Sequence, residues 1–271
     1  MACESDQRKA VLERIIACDA PTLRRLAALL VDERDAPADS GADYIRFLRL
    51  VAESDVSGLK TSEKSYGNSW KRRGGVDTFH MLTRKWDRIE RHVATNGLGG
   101  GQSASPYDIL EHISADRRAD GLIDDVRDLR RYLMLVEAET LARKAGNLAD
   151  SGRAYLDQLD RIAETDIGAI EEKEKTYGSS WKRRGGISAF MMLARKWDRI
   201  EQRVSTRVEA VDGAPGAERD NVLEHVMTDR RSEGIIDDIR DLRRYLILVE
   251  AEMAARGVVK IGTARDNIDK G

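Results

Sequence analysis

The sequence predicts an all-α protein: a tandem duplication of one four-helix-type module, packed as a pseudo-twofold pair, with an extra N-terminal helical segment. Three observations carry that prediction. Charged residues make up 35% of the chain and aromatics 5%, with only four prolines, a balance that favours long solvated helices over sheets. Two long blocks recur almost unchanged about 110 residues apart. Within each block, apolar residues recur at three- and four-residue steps.

The duplication is direct. Residues 66–90 and 177–201 agree at 19 of 25 positions, around the shared core YGxSWKRRGG. Residues 121–139 and 234–252 agree at 16 of 19. The offset changes from 111 to 113 between the blocks, which places the difference in the Gly-, Ala-, Ser- and Pro-rich loops 95–107 and 206–220. We divide the chain into an N-terminal helical extension (1–40), a first repeat (41–150), a second repeat (151–256) and a frayed tail (257–271). The short linker near Gly146 and Gly152 favours a fused pair, and a twofold interface is the common solution for two copies of one module.

Each repeat is expected to hold a first helix (42–53 or 153–164), a short segment (56–65 or 167–176), and then the basic Gly-Gly segment. A helix follows over 76–94 or 187–205. Next come a short helix (107–118 or 220–231) and a long one (122–143 or 235–256). Phe79, Leu82, Trp86, Ile89 and Val93 form one apolar stripe; Leu122, Val126, Leu129, Leu133 and Val136 form another.

Forty-six basic and 48 acidic residues leave a net charge of −2, which argues against a bulk polyanion binder and against duplex nucleic acid as partner. The two cysteines, Cys3 and Cys18, lack zinc spacing, and a reduced cytoplasmic setting is expected. No signal-peptide pattern opens the chain, and no apolar run approaches the roughly 20 residues needed to span a bilayer.

Three constellations are candidates for chemistry. The first is acidic: Asp87 and Glu90 with Asp125 and Asp128, repeated as Asp198 and Glu201 with Asp238 and Asp241. A three-residue step puts both carboxylates of a pair on one helical face. Two facing pairs would offer four hard oxygen ligands to Mg2+. Alternatively, the Asp and Arg residues of DDVRDLRRY form a salt-bridge lattice. The second constellation is basic: Lys71, Arg72 and Arg73 before Gly75, and Lys182, Arg183 and Arg184 before Gly186. Cations and glycines at a helix start can cradle phosphate, although no Walker pattern is present. The third is aromatic. Tyr66 and Trp70, with Tyr177 and Trp181, could stack on a base or anchor the core. The four histidines fit no metal or triad pattern, and we assign them no essential role.

The blocks YGxSWKRRGG, FMMLARKWDRIE and DDIRDLRRYL resemble the first of the phage nucleotide modification associated domains, a family without a defined reaction. That resemblance implies a phage origin, an infected bacterial host and a link to nucleotide metabolism. The acidic pairs bear a weaker similarity to the all-α MazG and dimeric dUTPase-type nucleoside triphosphate pyrophosphohydrolases. Those carry Glu-x-x-Glu and Glu-x-x-Asp where this chain has Asp87, Glu90, Asp125 and Asp128. This second resemblance implies magnesium-dependent cleavage between α- and β-phosphates. The alternative is a non-catalytic binder that sequesters a host immune nucleotide signal or serves base modification. Self-association is left open.

Overall fold

The structure is a computed structural model that describes residues 41–95, 104–118, 120–146, 152–178, 180–210 and 215–261. The helical extension expected over 1–40, with both cysteines, and the end of the tail at 262–271 lie outside the described residues. The fold is all-helical. Eight α-helices appear among the described residues: α1 (Gly41–Tyr66), α2 (Gly74–Ala94), α3 (Ile109–Ala115), α4 (Leu122–Lys144), α5 (Leu159–Tyr177), α6 (Gly185–Val204), α7 (Val222–Thr228) and α8 (Ile235–Ala255). Single 3-10 turns occupy Ser69–Lys71, Ala154–Gln158 and Ser180–Lys182. No described helix is long and apolar enough to cross a membrane.

The apolar stripes form the core as their periodicity requires. Phe79, Leu82, Trp86, Ile89 and Val93 of α2 are buried, as are Leu122, Val126, Leu129, Leu133 and Val136 of α4. At the centre the aromatic rings cross from one repeat to the other. Trp86 stacks on Trp197 at 5.6 Å, Phe79 on Trp197 at 6.2 Å, and Trp86 on Phe190 at 5.8 Å. Offset stacks of this kind add to the burial of ring area.

The short helices are exchanged between repeats. α7 of the second repeat packs on α2, and α3 of the first packs on α6. Each is set by a side-chain cap: Asp108 accepts the Glu111 N–H at 3.0 Å, and Asn221 accepts the Glu224 N–H at 3.3 Å. The long helices α4 and α8 start in the same manner. Asp116 accepts the Leu122 N–H at 2.6 Å, and Asp229 accepts the Ile235 N–H at 2.7 Å.

Two local expectations are corrected. The first helix and the short segment of repeat 1 are one continuous helix, α1. The apparent break at Ser54 and Asp55 is instead a buried carboxylate, held by Arg130 and by Arg131 at 3.0 Å from α4. The start of the tail is not frayed. Val259 and Ile261 pack against the core, and the Lys260 carbonyl accepts from Arg127 at 2.7 Å.

Candidate functional site

Of the three cations in each copy of the basic segment, only the lysine turns inward. The 3-10 turn Ser69–Lys71 places the Lys71 ammonium 2.5 Å from Glu139 of α4, with both side chains almost fully buried. The same ammonium lies 4.9 Å from the ring centre of Tyr155, across the repeat boundary. Its counterpart Lys182 pairs with Glu252 at 2.7 Å and sits 5.2 Å from the ring of Tyr44. This corrects the expectation that these lysines face a phosphate: their charge is already satisfied within the fold. Arg72, Arg73, Arg183 and Arg184 remain exposed.

The glycine pairs are also spoken for. Gly74 and Gly185 take φ of 70° and 73°, a turn that a side chain would strain. A Cβ on Gly75 would lie 2.0 Å from the Asn221 side chain, and one on Gly186 would lie 1.9 Å from the Asp108 carboxylate. The close approach that glycine permits is therefore made by the cap of the other repeat's short helix, not by an open ligand space. At α6 the anion beside the first turn is the chain's own Asp108.

The acidic quartets do not assemble as expected. Asp125 and Asp128 of α4 face Lys85, whose ammonium lies 3.3 Å and 2.6 Å from them, and Arg88 lies 3.0 Å from Asp125. Burial alone would lower the Lys85 pKa, but Asp128 and Asp125 outweigh it and hold the ammonium above its ordinary value. Asp238 and Asp241 are matched in the same way by Lys196 at 3.2 Å and 2.7 Å. A protein cation thus neutralises the carboxylates that Mg2+ was expected to bridge. Among the described residues, no three His, Cys, Asp or Glu side chains are grouped so as to hold a metal. Asp87 and Glu90 are exposed, and their charges act on Glu201 of the other repeat. Burial, then the neighbouring Asp87, Asp198 and Glu90, raise the Glu201 carboxyl above its usual range.

The first arginine of each DLRRY reaches the core, while Arg127 with Asp124 and Arg240 with Asp237 form the salt bridges expected at helical spacing. Arg130 is buried between Asp55 of α1 and Glu250 of α8, the latter at 2.6 Å. Arg243 is buried between Asp166 of α5 and Glu137 of α4, again 2.6 Å from the glutamate. Sequence reasoning missed Glu137 and Glu250 as partners. The available signal was a glutamate inside the apolar run of LMLVEAE, present in both copies.

The aromatic expectation splits. Trp181 is buried and serves the core, while Tyr177 is exposed. Tyr66, exposed like Tyr177, and Trp70 line a cleft of about 360 Å3 with Tyr132 and the buried Tyr155. Trp70 meets Tyr155 edge-on at 5.5 Å. Glu63, Asp128 and Arg131 supply polar groups on the same wall. Burial raises the Tyr132 and Tyr155 hydroxyls above their ordinary pKa, so both remain protonated at neutral pH. Tyr155 occupies the position that matches Tyr44 in the other copy.

The fold and cavity define a class: an all-helical protein with an aromatic-walled pocket of small-ligand size. No family model matches the chain, and neither a characterised protein nor a solved structure shows significant similarity to it.

Proposed function

We propose that this protein binds a nucleotide or nucleotide-derived small molecule without hydrolysing it. The observation that carries the reading is the cavity walled by Tyr66, Trp70, Tyr132 and Tyr155. Its volume of about 360 Å3 falls in the range of small-molecule pockets. Aromatic faces favour a planar heterocycle; Asp128, bonded to Lys85, and Arg131, bonded to Asp55, stand at its edges, while both Glu63 oxygens are taken by Arg153. A sequestering role fits this pocket: a phage protein that holds a host immune nucleotide signal needs retention, not turnover.

A second reading, magnesium-dependent pyrophosphohydrolysis, draws on one observation, the influence of the Asp87 and Glu90 charges on Glu201 across the repeat boundary. The Lys85 and Lys196 pairings weigh against the expected quartets as its metal set. The reciprocal contacts, Lys71 with Tyr155 and Lys182 with Tyr44, support reading the repeats as a fused pair about an approximate twofold axis.

The experiment is calorimetric titration of canonical, modified and cyclic nucleotides, with and without magnesium, while product release is followed in parallel. Metal-independent binding without turnover, weakened at least tenfold by Tyr66→Ala, is the expected result. Magnesium-dependent turnover would replace it with the hydrolase reading. Binding by none of the nucleotides, or binding indifferent to Tyr66→Ala, would remove the aromatic cavity as the site.

A further inference from the structure

A second cavity, lined by different residues, lies in repeat 2 between α6, α7 and the start of α8. It measures about 640 Å3, and three guanidinium groups line it: Arg203, Arg230 and Arg231. Two of them are partly engaged. Arg231 makes two bonds to Asp229, each 2.8 Å. Arg203 uses Nη1 on Asp238 at 2.8 Å. Asp238 is itself shared with Lys196 and Arg199, each at 3.2 Å, so its single negative charge is divided among three cations. Arg230 is exposed and has no hydrogen-bond or ion-pair partner among the described residues. Positive charge therefore exceeds negative charge here, in a chain whose net charge is −2.

The two repeats differ at this point. In repeat 1 the position of Arg203 is held by His92, and Arg117, the counterpart of Arg230, donates to the Ser114 carbonyl at 2.6 Å. Repeat 1 has a smaller cleft of about 200 Å3 lined by Arg117, Arg118 and Arg127, in which Arg118 is held by Asp116 and Arg127 by Glu250. The first turn of α8 is not the attraction, because Asp229 already accepts the Ile235 N–H.

We propose that this cleft is an anion site for a phosphate or diphosphate group, carried on a small organic ligand. A guanidinium presents planar paired donors that match phosphate oxygens, and three of them at one cleft suit a tetrahedral anion with several free oxygens. A lone carboxylate, with two oxygens in one plane, would use fewer of them. Val208 and Ile235 on the same wall give the organic part an apolar surface. The site is independent of the aromatic cavity and stands or falls separately from it.

The test uses the full chain and inorganic pyrophosphate, titrated by calorimetry at low and at physiological ionic strength. One equivalent should bind, more weakly as salt is raised. Arg230→Glu should weaken binding at least tenfold while leaving the thermal melt unchanged. Arg117→Glu, the same charge change in repeat 1, should leave affinity within twofold. Three outcomes would overturn the assignment: no binding of pyrophosphate; an Arg230→Glu protein that binds normally; or equal losses in both variants, which would mark a general charge effect. Binding of tetraglutamate in place of pyrophosphate would likewise overturn it, in favour of an acidic peptide. If Arg230→Glu lowers the melt, Arg230→Gln with unchanged melting decides by the same criterion.

Discussion

Arg130 of the first repeat and Glu250 of the second form a buried ion pair at 2.6 Å, and Arg243 and Glu137 form the same pair with the repeats exchanged. Each guanidinium is also held by a buried aspartate, Asp55 or Asp166. Charges taken this far out of water are tolerated only when paired, and here, among the described residues of the cluster, only the Arg243 Nη1 is left without a hydrogen-bond partner. The network therefore ties α1, α4, α5 and α8 to one arrangement.

Removing one glutamate leaves its buried arginine with the aspartate alone and takes the interhelical carboxylate from Arg127 or Arg240. Glu250→Ala should cost about 3–5 kcal/mol, and Glu137→Ala a similar amount. Urea unfolding followed by circular dichroism would measure both. A loss of under about 1 kcal/mol for either would show that the glutamates are not needed to hold the arginines.

Lys71 should behave as a structural residue. Lys71→Ala strands Glu139 in the core, although Arg143 still bonds Glu139 at 2.8 Å and softens the loss. We expect a destabilisation near the lower end of about 3–5 kcal/mol. Lys182→Ala, at a more exposed site, should cost less. Arg72→Ala and Arg73→Ala should stay within about 0.5 kcal/mol. Thermal melts of the four proteins give the order, and an inert Lys71→Ala would contradict the buried pair.

Gly75→Ala places a methyl group against the side chain of Asn221 and against the backbone of α7, where the Leu223 nitrogen would be 2.6 Å away. Overpacking of this kind costs about 1–3 kcal/mol. Because backbone is involved, shortening Asn221 to Ala should recover only part of the loss. A double-mutant cycle by chemical denaturation measures the coupling. Full recovery would mean that the side chain alone sets the contact.

Stability should fall in acid through Asp116 and Asp229. Burial alone would raise these carboxyls, but Arg118 or Arg231 and the backbone N–H groups bonded to them outweigh it. Asp229 is held down to about 2, and Asp116 well below the usual carboxylate range. A depressed pKa contributes stability that is full above the unfolded value, about 3.9, and is lost as pH falls through the folded one. Asp229→Asn should cost about 1–2 kcal/mol at neutral pH and flatten the loss between pH 4 and 2. Glu201 has the opposite sign. Its raised carboxyl contributes most below its unfolded value and loses that contribution as pH rises through the folded one. Glu201→Gln should thus stabilise the neutral protein, by under about 1 kcal/mol because the site is partly solvated. Urea midpoints across pH 2–8 check both, and a destabilised Glu201→Gln at pH 7 would refute the crowding of carboxylates.

Much of the fold was legible because helical periodicity is local. The stripes of α2 and α4 and the pairing of the two blocks required only three- and four-residue spacing and a self-comparison. The candidate site was less legible. Tyr66 and Trp70 were singled out as an aromatic pair, and the cavity they line is completed by Tyr132 and Tyr155. Tyr155 comes from the other repeat, at a separation no local pattern reports.

The sequence by itself determined the helical class, the two near-identical blocks and the faces that must be buried, since each follows from the spacing of apolar residues along one helix. Only the tertiary structure decided which charges meet. Lys71 reads as a free cation until Glu139, 68 residues away, is brought to 2.5 Å. Gly75 reads as a ligand contact until α7 arrives against it. Asp125 and Asp128 read as metal ligands until Lys85 stands between them. The physical reason is the same in each case. A charge or a glycine has no fixed role on its own helix, and the partner that satisfies it is chosen by how separate helices cross.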